Sequence, residues 1–237
     1  MNFAKCFLII SLLFSSLYAK NIFASYDISF AIFSKLGRAE TSFKEDEGKY
    51  KIEVLAKTKG FAKFLSNGRE ELFISEGIVK DGQLLPLKYS KTRKNNKKSV
   101  TKTYSFDHEN EVVYLERLED EKYEKSKNDF YAKNDILSLF FNSSLFLTKK
   151  ENHTSYAVGG NKKDGRVDIE FPVKDDLERA KKILKIDDGI FVKVVLNEPI
   201  FSSSKGELLI NLDSDGLAVK AVLEDVLLFG DIVGTKR

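Results

Sequence analysis

Tyr50-Lys51-Ile52-Glu53-Val54-Leu55-Ala56-Lys57 is the stretch whose reading decides the fold. Tyr50, Ile52, Val54 and Ala56 alternate with Lys51, Glu53, Leu55 and Lys57. A period of two puts these sets on opposite sides of an extended chain, as in a strand with one buried face. The pattern returns at Tyr26, Ile28, Phe30 and Ile32, at Val167, Ile169, Phe171 and Val173, and at Leu208, Ile210 and Leu212. Between such runs stand Glu47-Gly48, Asp81-Gly82, Asp164-Gly165, Asp188-Gly189 and Asp215-Gly216, pairs suited to the positive φ of tight hairpins. The expected fold is mainly β, an antiparallel meander forming a curved sheet, an open barrel or a sandwich.

Two segments break the alternation. Asn134 to Leu147 carries apolar residues on several sides, and Asn134 or Asp135 can cap it as a helix. Asp175 to Ile186 reads as a short amphipathic helix with Leu177, Ala180, Ile183 and Leu184 as its stripe. Its acids come first and its bases last, which complements the helix dipole.

The N-terminus has the layout of a secretory signal peptide. Lys5 precedes an uncharged run from Phe7 to Leu17, and Ala19 offers a small-residue exit. Cleavage is expected near Ala19, leaving a single β-rich periplasmic domain over 20–237. The apolar run is too short to span a bilayer, so no transmembrane span is expected after cleavage. Cleavage would also remove Cys6 and Met1, the sole Cys and Met, and lower the net charge from +3 to +2. No disulfide, thiol nucleophile or Cys metal ligand would remain. A nearly balanced charge argues against nucleic acid as a partner.

No catalytic residues, metal ligands or cofactor sites are assigned. Asn211-Leu212-Asp213-Ser214-Asp215-Gly216 opens like a calcium loop, but Val222 stands where the bidentate Glu belongs, so a hairpin turn is expected. His108 and His153 have no second ligand at metal spacing and are expected at the surface. Gly159-Gly160-Asn161-Lys162-Lys163-Asp164-Gly165 lacks the Gly-Lys-Ser/Thr ending of a phosphate loop.

Two groups are candidate binding residues. Lys88 to Lys102 carries seven basic residues and no acid. Lys91, Arg93, Lys94, Lys97 and Lys98 are its candidate anion contacts, the charge gathering in the 94–98 loop; solvated strand edges are the plainer reading. The aromatics Phe130, Tyr131, Phe140, Phe141 and Phe146 surround the first expected helix. They are read either as core or as the lining of an apolar ligand cavity.

Several motifs resemble the exported bacterial family catalogued as domain of unknown function 3108. They are Tyr26-Asp27-Ile28-Ser29-Phe30 leading to Gly37, Asp81-Gly82 with Leu85-Pro86 and Tyr89, Asp135-Ile136-Leu137-Ser138, and Asp213-Ser214-Asp215-Gly216 with Phe229-Gly230-Asp231. The resemblance implies a periplasmic β-rich fold and no established activity. The expected function is therefore a non-enzymatic envelope protein that binds an apolar or amphipathic, lipid-like ligand or assists envelope assembly. Lipid, lipopolysaccharide or another envelope protein are the expected partners. The alternatives are an interaction module without a small ligand and, below it, an enzyme acting on polysaccharide or peptidoglycan.

Overall fold

The computed structural model describes residues 20–30, 36–60, 63, 66–143, 147, 149–196, 206–226 and 230–237. The expected signal peptide, residues 1–19, lies outside them. Eight strands follow one another from the start: β1 (Lys20–Phe30), β2 (Gly37–Asp46), β3 (Lys49–Thr58), β4 (Glu70–Lys80), β5 (Gln83–Lys94), β6 (Ser99–Asp107), β7 (Val112–Glu119) and β8 (Lys122–Lys127). A two-residue strand, β9 (Asn134–Asp135), leads into α1 (Ile136–Asn142). Then come β10 (His153–Val158), β11 (Arg166–Glu170), α2 (Asp175–Leu184), β12 (Ile190–Val195), β13 (Glu207–Leu212), β14 (Ala218–Val226) and β15 (Gly230–Lys236).

The fifteen strands of the described residues join one sheet, in the order β8-β7-β6-β5-β4-β3-β2-β1-β15-β14-β13-β12-β11-β10-β9. Every pairing is antiparallel except β9 with β10. The seam is the pairing of β1 with β15, where Tyr26 faces Lys236 and Phe30 faces Ile232. The meander runs outward from it in both directions. Its two ends, β8 and β9, are not bonded to each other, so the sheet is curved and open. Among the described residues neither a closed barrel nor a two-sheet sandwich forms. At the β9 end the sheet curls back, and Val158 packs on Tyr89, Phe106 and Val113.

Tight turns drive the meander. Glu47 and Gly48 have φ of 48° and 71°, and Asp81 and Gly82 have 52° and 73°, the paired positive angles of two-residue hairpins. The Asp188-Gly189 pair instead joins α2 to β12. There Gly189 (φ +102°) lies so close to Asn211 that a Cβ would meet its side chain at 2.7 Å, so this glycine serves a helix-to-strand connection rather than a hairpin.

The helices cover opposite faces. Ala180 and Leu184 of α2 are buried against Phe191, Leu209 and Val222, which point to the outer face of β12–β14. α1 lies on the inner face. Its Leu139 joins a cluster with Val167, Ile169, Val192 and Ile210, and Phe141 stacks on Phe43 at 4.8 Å. One short helix thereby ties both halves of the sheet together. Asp135 starts it: Oδ1 accepts the Leu137 and Ser138 amides at 2.8 and 3.0 Å, and Ser138 Oγ accepts the Asp135 amide at 3.0 Å. This reciprocal capping box satisfies amides that a buried helix start would otherwise leave orphaned. Asp135→Ala should lower the unfolding free energy by about 1–3 kcal/mol. Asp175→Ala, at the exposed start of α2, should cost no more than about 1 kcal/mol. Urea denaturation of the two variants beside the wild type checks this.

Candidate functional site

The strand register sorts the inner face into two zones. Ile52, Ser75, Tyr89 and Tyr104 form one row across β3–β6, and α1 lies over it. Asn142 anchors the helix beside the 81–82 turn, its side chain accepting the Leu84 amide at 2.8 Å and donating to the Leu84 carbonyl at 2.9 Å. The row is polar at its centre. Ser75 Oγ donates to Asp135 Oδ2 at 2.6 Å, and the Tyr50 hydroxyl lies 3.0 Å from Ser75 Oγ. With the serine proton committed to Asp135, Tyr50 donates in that contact. Burial pushes the Asp135 carboxyl above its usual range, although Ser75 and the Ser138 and Leu137 amides pull the other way. Burial also raises the Tyr50 and Tyr89 hydroxyls, with the Asp135 charge adding to it. Both phenols therefore stay protonated. This polar group anchors the helix.

Two of the motifs that carried the family resemblance meet here: Tyr89 lies in the row under α1 beside the capping Asp135, and the Pro86 carbonyl accepts from His108 Nε2 at 2.6 Å. His108 is half-buried, not a surface group. Its Nε2–H donation leaves Nδ1 as acceptor for the Tyr131 hydroxyl at 2.9 Å, and the ring stacks on Phe106. Its sequence neighbours Asp107, Glu109 and Asn110 are polar, and the partners that bury the imidazole, Pro86 and Tyr131, come from distant residues.

The second zone lies one and two side-chain steps beyond the row under α1. Across β2–β6 the next row reads Thr41, Val54, Phe73, Lys91, Lys102, and the one after it Ala39, Ala56, Glu71, Arg93, Val100. Thr41, Val54, Ala39 and Ala56 are half-buried, and none belongs to the clusters around α1. This zone is apolar toward β2–β3 and cationic toward β5–β6.

Glu71 organises the cationic side. It is buried, with 8% exposure, and three cations converge on it. Arg69 bonds it through Nε at 2.8 Å, Arg93 Nε donates at 3.0 Å, and Lys91 Nζ stands 3.7 Å away. Burial alone would raise its pKa. The Arg69 hydrogen bond and the charges of Lys91, Arg69 and Arg93 outweigh burial and hold it below the ordinary carboxylate value. Lys91 is lowered by burial and by the two arginines, against the pull of Glu71. Its ammonium also sits 4.8 Å over the Phe73 ring.

The five basic residues read from sequence divide between two places. Lys91 and Arg93, two residues apart on β5, share the inner face. Lys94 faces Glu70 on the outer side. Lys97 and Lys98 lie in the 95–98 loop, where Asn95 Oδ1 accepts both their amides at 2.9 Å, and Lys98 is paired to Glu119. The charge therefore does not gather in the loop alone. The partner that concentrates it, Glu71, is 22 residues from Arg93, beyond the reach of a local reading. Of the aromatic group, Phe130 and Tyr131 pack near Phe106, while Phe140 and Phe141 meet edge to face at 5.5 Å. These four hold α1 to the sheet; Phe146 lies outside the described residues.

The 213–216 segment is a turn. Asp213 Oδ1 accepts the Asp215 and Leu217 amides at 3.1 and 2.9 Å, and Lys236 Nζ takes Oδ2 at 2.9 Å. A lysine thus occupies the side of the carboxylate that a cation would need. Among the described residues no three His, Cys, Asp or Glu side chains group to hold a metal, and no helix is long and apolar enough to cross a membrane.

A family model described as protein of unknown function (DUF3108) matches residues 25–233. No curated protein and no solved structure matches the chain.

The lowered Glu71 gives a signed pH prediction. A carboxylate depressed in the folded state contributes stability above its unfolded pKa and loses it as pH falls through the folded value. At pH 7 Glu71→Gln should be about 1–3 kcal/mol less stable than wild type. The gap should narrow as pH falls below about 4. Denaturation midpoints of both proteins from pH 7 to 3 measure it.

Proposed function

The chain belongs to the DUF3108 family, and from the amphipathic inner face of its open sheet we propose that it is a non-enzymatic, exported envelope protein that binds a lipid-like ligand. The observation that carries this reading is the unequal cover of that face. One end is packed beneath α1 by Phe43, Ile52, Tyr89 and Phe106. The other keeps Thr41, Val54, Ala39 and Ala56 half-buried beside exposed cations. An apolar wall with a few convergent polar groups is the ordinary makeup of a small-molecule site. The buried carboxylates support binding over catalysis, because Asp135 is engaged in a helix cap and Glu71 in ion pairs. The signal-peptide layout of residues 1–19 supports export to the periplasm.

A second reading has its own observation. Tyr114, Leu118 and Tyr123 are 41%, 47% and 60% exposed and share the outer face of β7–β8 beside the unpaired edge of β8. Exposed aromatics next to a free strand edge suit docking of another envelope protein.

The first reading is tested with the uncharged fluorophore N-phenyl-1-naphthylamine. The mature protein should enhance its fluorescence saturably, and an acylglycerol should displace it. Val54→Asp, which puts a charge on the apolar wall, should abolish the enhancement while retaining the wild-type circular dichroism spectrum. No saturable enhancement with the folded wild type would overturn the reading. For location, N-terminal sequencing of protein from a periplasmic fraction should begin near Lys20; an intact Met1 in the membrane fraction would refute export by cleavage.

A further inference from the structure

We propose that Lys91, Lys102, Arg93 and Arg69 form a headgroup site for an acyl amphiphile that ends in a phosphate. The inference rests on the reading that the inner face binds a lipid-like ligand, and it names that ligand's class.

The register supplies the first argument. Lys91 on β5 lies directly opposite Lys102 on β6, and Lys102 directly opposite Arg117 on β7. Three cations therefore stand side by side on one face of three neighbouring strands. Like charges at directly opposed positions destabilise a sheet; Lys91 is offset by Glu71 and Arg117 by carboxylates on β7 and β8, so the repulsion left for a bound anion to relieve falls on Lys102 between them. Arg117 is neutralised locally by Glu119 and Glu124, yet its Nε is shielded from solvent with no hydrogen-bond partner among the described residues. Lys102 is exposed and makes no ion pair among the described residues.

Charge supplies the second argument. Three cations, Arg69, Lys91 and Arg93, share a single carboxylate, Glu71, and a fourth, Lys102, stands opposite Lys91 on the next strand. Glu71 uses Nε of Arg93 and leaves its terminal guanidinium nitrogens to other acceptors. In this role Glu71 is a positioning residue that gathers the cations without cancelling them. The surplus of three exceeds the single charge of a fatty-acid carboxylate. It better suits a phosphate monoester, with a charge of about −1.5 to −2 at neutral pH, and arginine's planar fork matches phosphate oxygens.

Position supplies the third. The same two rows continue from the cations into Phe73, Val54 and Thr41, and from Arg93 through Glu71 into Ala56 and Ala39. A headgroup on β5–β6 thus places its chain across β4, β3 and β2, over the half-buried apolar wall.

The test compares three displacers of N-phenyl-1-naphthylamine: a lysophosphatidic acid, a monoacylglycerol of the same chain, and inorganic phosphate. The lysophosphatidic acid should bind about tenfold more tightly than the monoacylglycerol, and the advantage should shrink as salt rises. Lys102→Gln should remove most of it, weakening lysophosphatidic acid binding several-fold more than monoacylglycerol binding. Because the substitution relieves the row's repulsion, its thermal midpoint should equal or exceed that of wild type. Equal affinity for the two lipids, unaffected by Lys102→Gln, overturns the headgroup site and leaves the lipid-binding reading standing. Displacement by inorganic phosphate as effective as by the phospholipid also overturns it, since the site would then read phosphate without a chain. Binding of neither lipid removes the underlying reading as well.

Discussion

A carboxylate buried at the start of a seven-residue helix is the constraint on which the architecture depends. α1 is too short to persist alone in water. It exists because Asp135 satisfies its first amides and because Ser75, supported by Tyr50, takes the other oxygen of the same carboxylate. These partners come from β3 and β4, so the cap is also a weld between helix and sheet. An apolar residue at 135 would leave the helix start and the Ser75 hydroxyl buried without acceptors, which costs far more than the neutral gain from each bond. The helix in turn gives both halves of a long open sheet a shared core. Leu139 packs against β11–β13, while Leu137 and Phe141 pack against β2, β3 and β5.

An open sheet must also manage its ends. β8 is exposed along its whole length and carries Lys122, Glu124, Lys125 and Lys127. Charged side chains on an edge discourage pairing with other chains. The β9 end is handled differently: the sheet turns inward there, its last full strand β10 packs Val158 against Tyr89, Phe106 and Val113, and β9 is only two residues long. The exposed Tyr114 and Tyr123 beside this edge are the exception to this protection.

Electrostatics divides the inner face in the same economical way. Under α1 the polar atoms are few and matched one to one. Beyond it, one buried glutamate gathers three cations while two further cations extend the row across β6 and β7. Carboxylates meet the row at both ends, Glu71 at Lys91 and Glu119 and Glu124 at Arg117, and Lys102 between them makes no ion pair among the described residues.

The alternation at Tyr50–Lys57, the Glu47-Gly48 and Asp81-Gly82 turns, a helix capped at Asn134 or Asp135 and the amphipathic helix at Asp175 were all legible in sequence, because each is set by neighbours within a few residues through strand pleat, turn dihedrals or helix period; which of the two residues caps was not. The amino-acid order by itself therefore determined a β meander with two short helices. It did not determine the seam between β1 and β15, the inward curl that brings Val158 to Tyr89, or the burial of His108 between Pro86 and Tyr131. The basic stretch was visible as charge, yet its division between the inner face and the loop depended on the register with β4 and on Glu71. Those features join residues from 22 to more than 200 positions apart. Only the tertiary structure decided them, because a side chain's face is encoded locally by alternation, whereas what meets that face depends on how the whole sheet curves.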